Sequence, residues 1–284
     1  MKENCPSVTA LRVAIYRAAH QIMDAPKIFH DPLALRILGL ENVSSPQSDP
    51  KWLTQTPWSN GLRLFLAARS RYAEDELHCA IKRGVHQYVV LGAGLDTFAY
   101  RNPYPEDVLH VFEVDHPATQ IWKQMSLEEA GIPIPETLTF SPVDFESQTL
   151  ENGLRRAGFD TGKCTFFSWL GVTQYLTSSA VTATLRFVAS MPVGSGIVFD
   201  YTISPSLLNP TARLAFDRLA HRVALSGEHF EAFFDPSLLT SSLRGMGFGQ
   251  IDDLDPGEMN ARYFQERPDK LKVGGFTHVM NAKV

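Results

Sequence analysis

An α/β fold, with a mostly parallel sheet covered by helices on both faces, is the fold class predicted by three observations. Apolar strand-like runs alternate with helical patterns from Tyr88 to the C-terminus. The run Tyr88-Val89-Val90-Leu91 enters a glycine-spaced turn, Gly92-Ala93-Gly94-Leu95-Asp96-Thr97, and a second apolar run, Val108 to Val114, stops on Asp115. The first 84 residues carry helical periodicity and no convincing strand. Alternation of this kind gives parallel strands joined by right-handed helical crossovers.

The N-terminal region, residues 1–84, reads as a helical cap. Val8 to Met23 and Pro32 to Leu38 place apolar residues at helical spacing, and a further helix runs from Leu62 through Leu77 and Ile81. A segment rich in Ser, Pro, Asn and Asp, Glu41 to Pro57, interrupts them. Residues 85–284 form the sheet domain. Its seven strands are expected near 87–92, 108–115, 137–143, 164–170, 195–201, 247–254 and 275–282. Helices are expected near 97–101, 117–130, 147–157, 178–190, 207–225 and 236–245. The helix from Ser178 is the clearest, with Thr177 or Ser178 as cap and Val181, Leu185 and Val188 on one face. The segment at about 203–235 exceeds what a crossover needs and reads as a helical lid over the ligand mouth.

Composition narrows the class. The chain has 284 residues with 44% hydrophobic content and a net charge of −5, ordinary for a globular protein and unlike the basic surface that nucleic acid or an anionic membrane requires. It has no 18-residue apolar run, and its opening residues, Met1 to Pro6, lack the apolar core expected of a secretory signal. Cys5, Cys79 and Cys164 form no C-x-x-C pair and read as reduced thiols of a cytoplasmic protein. A monomer or homodimer acting on a small molecule is expected.

A strand, a glycine turn and a second strand ending on an acid is how such a sheet grips a nucleoside, the acid accepting from the ribose hydroxyls. The turn does not suit a dinucleotide. The third glycine of G-x-G-x-x-G is Thr97, and Asp96 stands where a diphosphate would lie, a like-charge contact that low dielectric makes costly. No P-loop is present. A phosphate-free cofactor with a cationic centre, S-adenosylmethionine, fits better than a nicotinamide dinucleotide. In such sheets ligands lie beyond the strand ends. Those ends carry Gly92, Gly94 and Asp96, then Asp115, then Asp144 and Phe145, then Trp169 and Leu170. Asp144 can accept from the adenine amino group beside the Phe145 ring, or cap the helix that follows; Asp115 can likewise cap the helix beginning at Pro117.

The chain resembles the leucine carboxyl methyltransferase-like family of S-adenosylmethionine-dependent O-methyltransferases, in its bacterial and fungal small-molecule branch. The matching segments include Tyr16-Arg17-Ala18, Asp31-Pro32-Leu33-Ala34, Ala67-Ala68-Arg69, Leu91 to Thr97, Phe112 to Pro117, Gly171 to Leu176 and Phe199-Asp200-Tyr201. The resemblance implies a Rossmann-like methyltransferase sheet with Arg69 on the carboxylate of the cofactor's methionine part. Gly92 would supply the backbone contact, Asp115 would hold the ribose, and Asp144 with Phe145 would flank the adenine. One position departs: the family's glutamate after the fourth strand is Leu170 here.

Methyl transfer from a sulfonium requires alignment of nucleophile, methyl and sulfur. A carboxylate acceptor needs no base, whereas a phenol benefits from one. The expected acceptor is a carboxylic acid or phenol of secondary-metabolite type. Tyr16, Arg17, Tyr175 and Tyr201 are candidates for orienting it, and His229 for taking a proton. The alternatives are aromatic core for the two later tyrosines and a solvated surface for His229. Protein C-terminal carboxyl methylation and a non-catalytic cofactor-binding protein are the competing functions.

Overall fold

All five residues of β1, Gln87–Leu91, are buried, as a strand with helices on both faces must be. The structure is a computed structural model that describes residues 7–40, 58–144, 148–225 and 229–284. The other strands are β2 (His110–Asp115), β3 (Leu138–Pro142), β4 (Thr165–Trp169), β5 (Gly196–Thr202), β6 (Gln250–Leu254) and β7 (Thr277–Lys283). They form one seven-stranded sheet in the order β3-β2-β1-β4-β5-β7-β6. β1 to β5 pair in parallel, and β7 runs antiparallel to both β5 and β6. The winding reverses between β1 and β4, where Leu91 lies beside Trp169. A crevice therefore opens at the carboxyl ends of these two strands.

The pleat assigns alternate residues of β1 to opposite cores. Tyr88 and Val90 pack with Leu64, Tyr72 and Leu77 of α2 (Trp58–Lys82). Val89 and Leu91 pack on the other face with Phe167, Trp169 and Phe199, and with Leu185 and Leu243 of α5 (Ser178–Ala189) and α7 (Pro236–Met246). The helical N-terminal region thus shares one core with the sheet across residue 84, because α2 supplies an entire wall of it.

The remaining helices are α1 (Val8–Met23), α3 (Pro117–Glu129), α4 (Leu150–Arg156), α6 (Pro210–Leu225) and α8 (Pro256–Tyr263). Capping follows side-chain chemistry. The Ser7 hydroxyl accepts from the Ala10 N–H at 3.1 Å, and Thr177 accepts from the Ala180 N–H at 3.2 Å. α8 falls in a stretch where the sequence reading placed no helix. It starts on a reciprocal capping box: Asp255 accepts from the Glu258 N–H at 2.8 Å, and the Glu258 carboxylate accepts from the Asp255 N–H at 3.3 Å.

Two buried charge clusters tie the cap down. The first joins α1 to α2. Arg63 donates to both oxygens of Asp24, at 2.8 and 3.0 Å, and His20 Nδ1 lies 2.6 Å from the same carboxylate. His20 Nε2 accepts from the Ile28 and Phe29 N–H groups, so Nδ1 carries the proton and donates to Asp24. Burial alone would raise the Asp24 carboxyl; its bonds to His20 and Arg63 outweigh that and hold it at about 2. The second cluster locks the cap to the turn after β1 and belongs to the site. No helix among the described residues is long and apolar enough to cross a membrane.

Candidate active site

The crevice between β1 and β4 opens into a cavity of about 530 Å³, within the range of roughly 300–1,000 Å³ usual for small-molecule sites. Its floor is Leu91 to Asp96, and the ends of β2, β3 and β4 contribute Asp115 and His116, Val143 and Asp144, and Leu170 and Gly171. α1 and α2 form the near wall with Val13, Arg17, Arg69 and Glu74, and Tyr175, His229 and Glu231 border it beyond β4.

The glycines of the turn answer to the protein as well as to any ligand. Gly92 has φ +66, and a β-carbon there would lie 2.3 Å from Val172 Cγ2. Gly94 has φ +45, and a β-carbon there would meet Ala10 Cβ of α1 at 3.0 Å. Only glycine tolerates both the left-handed backbone and these approaches. Thr97, in the place of a third glycine, is a hydrogen-bonding hub. Its hydroxyl donates to Asp31 at 2.7 Å and accepts from Arg17 at 3.3 Å and from Arg101 at 3.1 Å. Arg17 Nη2 also donates to the Leu95 carbonyl at 2.9 Å and pairs with Asp31 at 3.0 Å, while Nη1 reaches Asp96 at 3.3 Å. Arg101 pairs in turn with Glu74.

The carboxylates differ in their surroundings. Burial would raise Asp96, but Arg17, Lys123 and Arg101 together hold it below its ordinary value, so it faces the cavity ionised. Asp115 Oδ2 accepts from the Gly94 N–H at 2.6 Å and Oδ1 from the His116 N–H at 2.7 Å. Burial outweighs these bonds and raises its carboxyl. Burial also raises Glu74 against its bond to Arg101. On β1 the Tyr88 hydroxyl, raised by burial, shares a 2.8 Å hydrogen bond with Ser168 at the cavity wall.

Residues 10–189 match the model of the leucine carboxyl methyltransferase family. The chain belongs to that family. YktD of Bacillus subtilis (strain 168), which carries the name of an S-adenosyl-L-methionine-dependent methyltransferase, is 35% identical over 309 aligned residues covering 99% of each chain. A similarly named relative in Mycobacterium avium (strain 104) is 30% identical over 72% of this chain and 67% of its own. A crystal structure from Thermobifida fusca YX, described as a methyltransferase, superposes with a TM-score of 0.58 at 14% identity, over 99% of this chain and 96% of that one. A DUF574 family protein of Streptomyces avermitilis superposes at 0.52 with 13% identity, over 96% of each. These likenesses establish the fold, and the family and its relatives make the protein an S-adenosylmethionine-dependent methyltransferase.

The residues of this methyltransferase fit that cofactor. Asp115 and Asp144 stand at neighbouring strand ends, where a nucleoside would lie. Ionised Asp96 suits a sulfonium. Both guanidinium groups lining the cavity, Arg17 and Arg69, are already paired with carboxylates, which leaves a diphosphate poorly matched. Arg69 borders the cavity, and its Nε is buried without a hydrogen-bond partner among the described residues.

Of the residues singled out in the sequence, Arg69, Gly92, Gly94, Asp96, Asp115, Asp144, Leu170, Tyr175 and His229 line this cavity. Phe145 lies outside the described residues. Four expectations are corrected. Trp169 turns its ring into the sheet core against Phe199, because the pleat sends it opposite to Ser168 and Leu170. Tyr201 is buried in the same core, its hydroxyl donating to Asp253 at 2.8 Å, away from the cavity. Arg17 reaches the cavity, but its guanidinium locks α1 to the turn and is committed to Asp31, Asp96 and Leu95. Tyr16 packs against the α2-side core. The cap of α3 falls on His116, whose Nδ1 accepts from the Ala118 N–H at 3.2 Å, so Asp115 does not serve there; α4 is capped by Thr149, and a helix beginning near Glu146 lies outside the described residues. Ser168, Glu74 and Asp200 went unread. The two-residue period of β4 and β5 carried the signal for Ser168 and Asp200, and the turn of helix beyond Arg69 carried it for Glu74.

Proposed function

We propose that this methyltransferase moves the methyl group of S-adenosylmethionine to a hydroxyl oxygen of a small-molecule acceptor, a phenol in preference to a carboxylic acid. The observation that carries this reading is the charge of the cavity. Among the described residues its lining holds five carboxylates, Glu74, Asp96, Asp115, Asp144 and Glu231, against the guanidiniums of Arg17 and Arg69; Arg101 and Arg17 pair with Glu74 and Asp96, and Arg69 pairs with Asp200. An anionic acceptor would enter against that field, with Arg17 committed to Asp31 and Asp96 and Arg69 to Asp200 and the cofactor's tail. A neutral hydroxyl meets no such barrier.

The bound cofactor supplies an electrophilic methyl on sulfur. The chain would hold and orient it: Asp115 would take the ribose, Asp144 the adenine edge, and Arg69 the carboxylate of the methionine tail. Asp96 favours the positive charge. A phenol, with a pKa near 10, gives up its proton as its oxygen bonds to carbon, and His229 and Glu231 stand on the cavity wall to receive it. α1, stapled over the turn by Arg17, shields the reacting atoms from water. Secondary-metabolite modification agrees with a cavity of this size. Methylation of a protein C-terminus requires a carboxylate acceptor and is disfavoured by the same charge.

The test is a methyl-transfer screen in which each phenol is paired with the carboxylic acid of the same skeleton, with mass gain as the readout. Phenols should be methylated and their acid partners not. Transfer to the acids alone would overturn the acceptor assignment, and failure to bind either S-adenosylmethionine or its demethylated product would overturn the cofactor pocket.

A further inference from the structure

Leu170 stands where the family resemblance places a glutamate, yet the wall beside it contains a buried acid from another strand. Asp200 lies in the middle of β5 and is 1% exposed. Its Oδ2 pairs with Arg69 Nη1, and its Oδ1 accepts from the Gly171 N–H at 2.6 Å. Its backbone carbonyl accepts from the Thr173 hydroxyl at 2.6 Å. One residue therefore fastens α2, the turn after β4 and the segment leading to Tyr175.

The geometry is tight around the guanidinium. Gly171 has φ +79, and a β-carbon there would lie 2.9 Å from Arg69 Nη2 and 3.2 Å from Nη1. The guanidinium thus occupies the space a side chain at position 171 would take, with one edge held by Asp200. Its Nε remains buried and unpartnered among the described residues. A planar fork fixed along one edge and bordering the cavity presents its remaining donors in a set direction. A buried arginine without its carboxylate would be an uncompensated charge, free to turn toward any other acid. Asp96 and Glu74 both line the same cavity.

We propose that Asp200 is the positioning residue for Arg69: by pairing with one edge of the guanidinium and holding Gly171 beside it, it aims the remaining donors at the amino-acid tail of the cofactor. Asp200 acts through Arg69 and does not itself touch the cofactor. This function tolerates leucine at position 170, because the acid that organises the tail end comes from β5. The inference rests on the cavity being the cofactor pocket.

The test compares two ligands by calorimetry. S-adenosylhomocysteine carries the amino-acid tail, and 5′-methylthioadenosine is the same nucleoside without it. Asp200→Asn keeps an acceptor for the Gly171 N–H and removes the charge that holds Arg69. It should weaken S-adenosylhomocysteine about ten-fold or more, the worth of a charge-assisted bond, and leave methylthioadenosine unchanged. Gly171→Ala, which pushes on the guanidinium, should give the same tail-selective loss. Arg69→Lys should as well, and Asp200→Asn combined with Arg69→Lys should be no worse than either alone. Equal losses on both ligands, no loss at all, or additive losses in the double variant would overturn the proposal. Should Asp200→Asn fail to fold, judged by its thermal transition, Gly171→Ala decides on the same two ligands. Failure of the parent protein to bind either ligand removes the pocket assignment itself, a different result from any of these.

Discussion

The turn end of the cavity and its outer wall are built from different materials. At the turn end, Arg17, Asp31, Asp96, Thr97, Arg101 and Glu74 form a continuous net of ion pairs and hydrogen bonds between the cap and β1. Near the outer wall, Tyr175 meets Phe230 with ring centroids 5.5 Å apart, and Phe230, Phe233 and Phe276 surround Phe216 of α6 at 6.0, 5.5 and 5.3 Å. The first region fixes directions, since each bond in it has a preferred geometry and each buried charge needs its partner. The second conserves only volume, and aromatic contacts can be repacked with modest loss. A pocket rigid where the cofactor lies and adaptable where the acceptor enters suits one cofactor and an exchangeable acceptor.

The largest break in that contrast should come from Arg17→Met. It removes the nearer guanidinium from Asp31 and Asp96, leaving Arg101 as the remaining cation on Asp31, and should cost about 3 kcal/mol in denaturant unfolding, the low end of the penalty for a broken buried pair. Phe216→Leu, on the outer side, should cost under about 1.5 kcal/mol. If the two are equal, the contrast is false.

Cofactor affinity sharpens it further. Asp115→Ala should weaken S-adenosylmethionine by about 1.5–3 kcal/mol in calorimetry. Because burial raises the Asp115 carboxyl, the parent should lose affinity on acidification earlier than an ordinary aspartate would dictate. That early loss should be missing in Asp115→Asn.

The cap adds an acid-side signature. Asp24 is held at about 2, below its ordinary value of 3.8. Its stabilisation is therefore complete above about pH 4 and fades as pH falls toward 2, a change of about 2 kcal/mol. Asp24→Asn should destabilise at neutral pH and flatten this part of the acid limb in pH-dependent melts. The smallest effect on folding belongs to His229→Gln, within about 0.5 kcal/mol for an exposed residue. Its cofactor affinity should match the parent while turnover of a phenol drops about a hundred-fold, the contribution of a positioned base. An unchanged rate would remove His229 from catalysis.

Much of this architecture is legible in the chain. All seven expected strands fall within a few residues of those observed, and for β1, β4 and β5 the reason is burial on two faces, which leaves a continuous apolar signature; the edge strand β6, Gln250–Leu254, lacks it. Asp115 and the Gly92–Gly94 turn are equally readable, since strand ends and positive-φ positions restrict the residue type. α8 was hidden by Pro256 and Gly257, although the Asp255-x-x-Glu258 box announced it.

Two site residues were missed by a single position. Trp169 and Tyr201 attract attention by size, but the pleat turns them into the core and brings their neighbours Ser168, Leu170 and Asp200 to the cavity side. Local sequence carries the order of elements, the strand ends and the glycines, because these depend on backbone geometry and on neighbours a few residues away. Which charges meet was settled only by the fold. Arg17 finds Asp96 across 79 residues and Arg69 finds Asp200 across 131, and pairing over such separations depends on how helices α1 and α2 dock on the sheet, which no local pattern encodes.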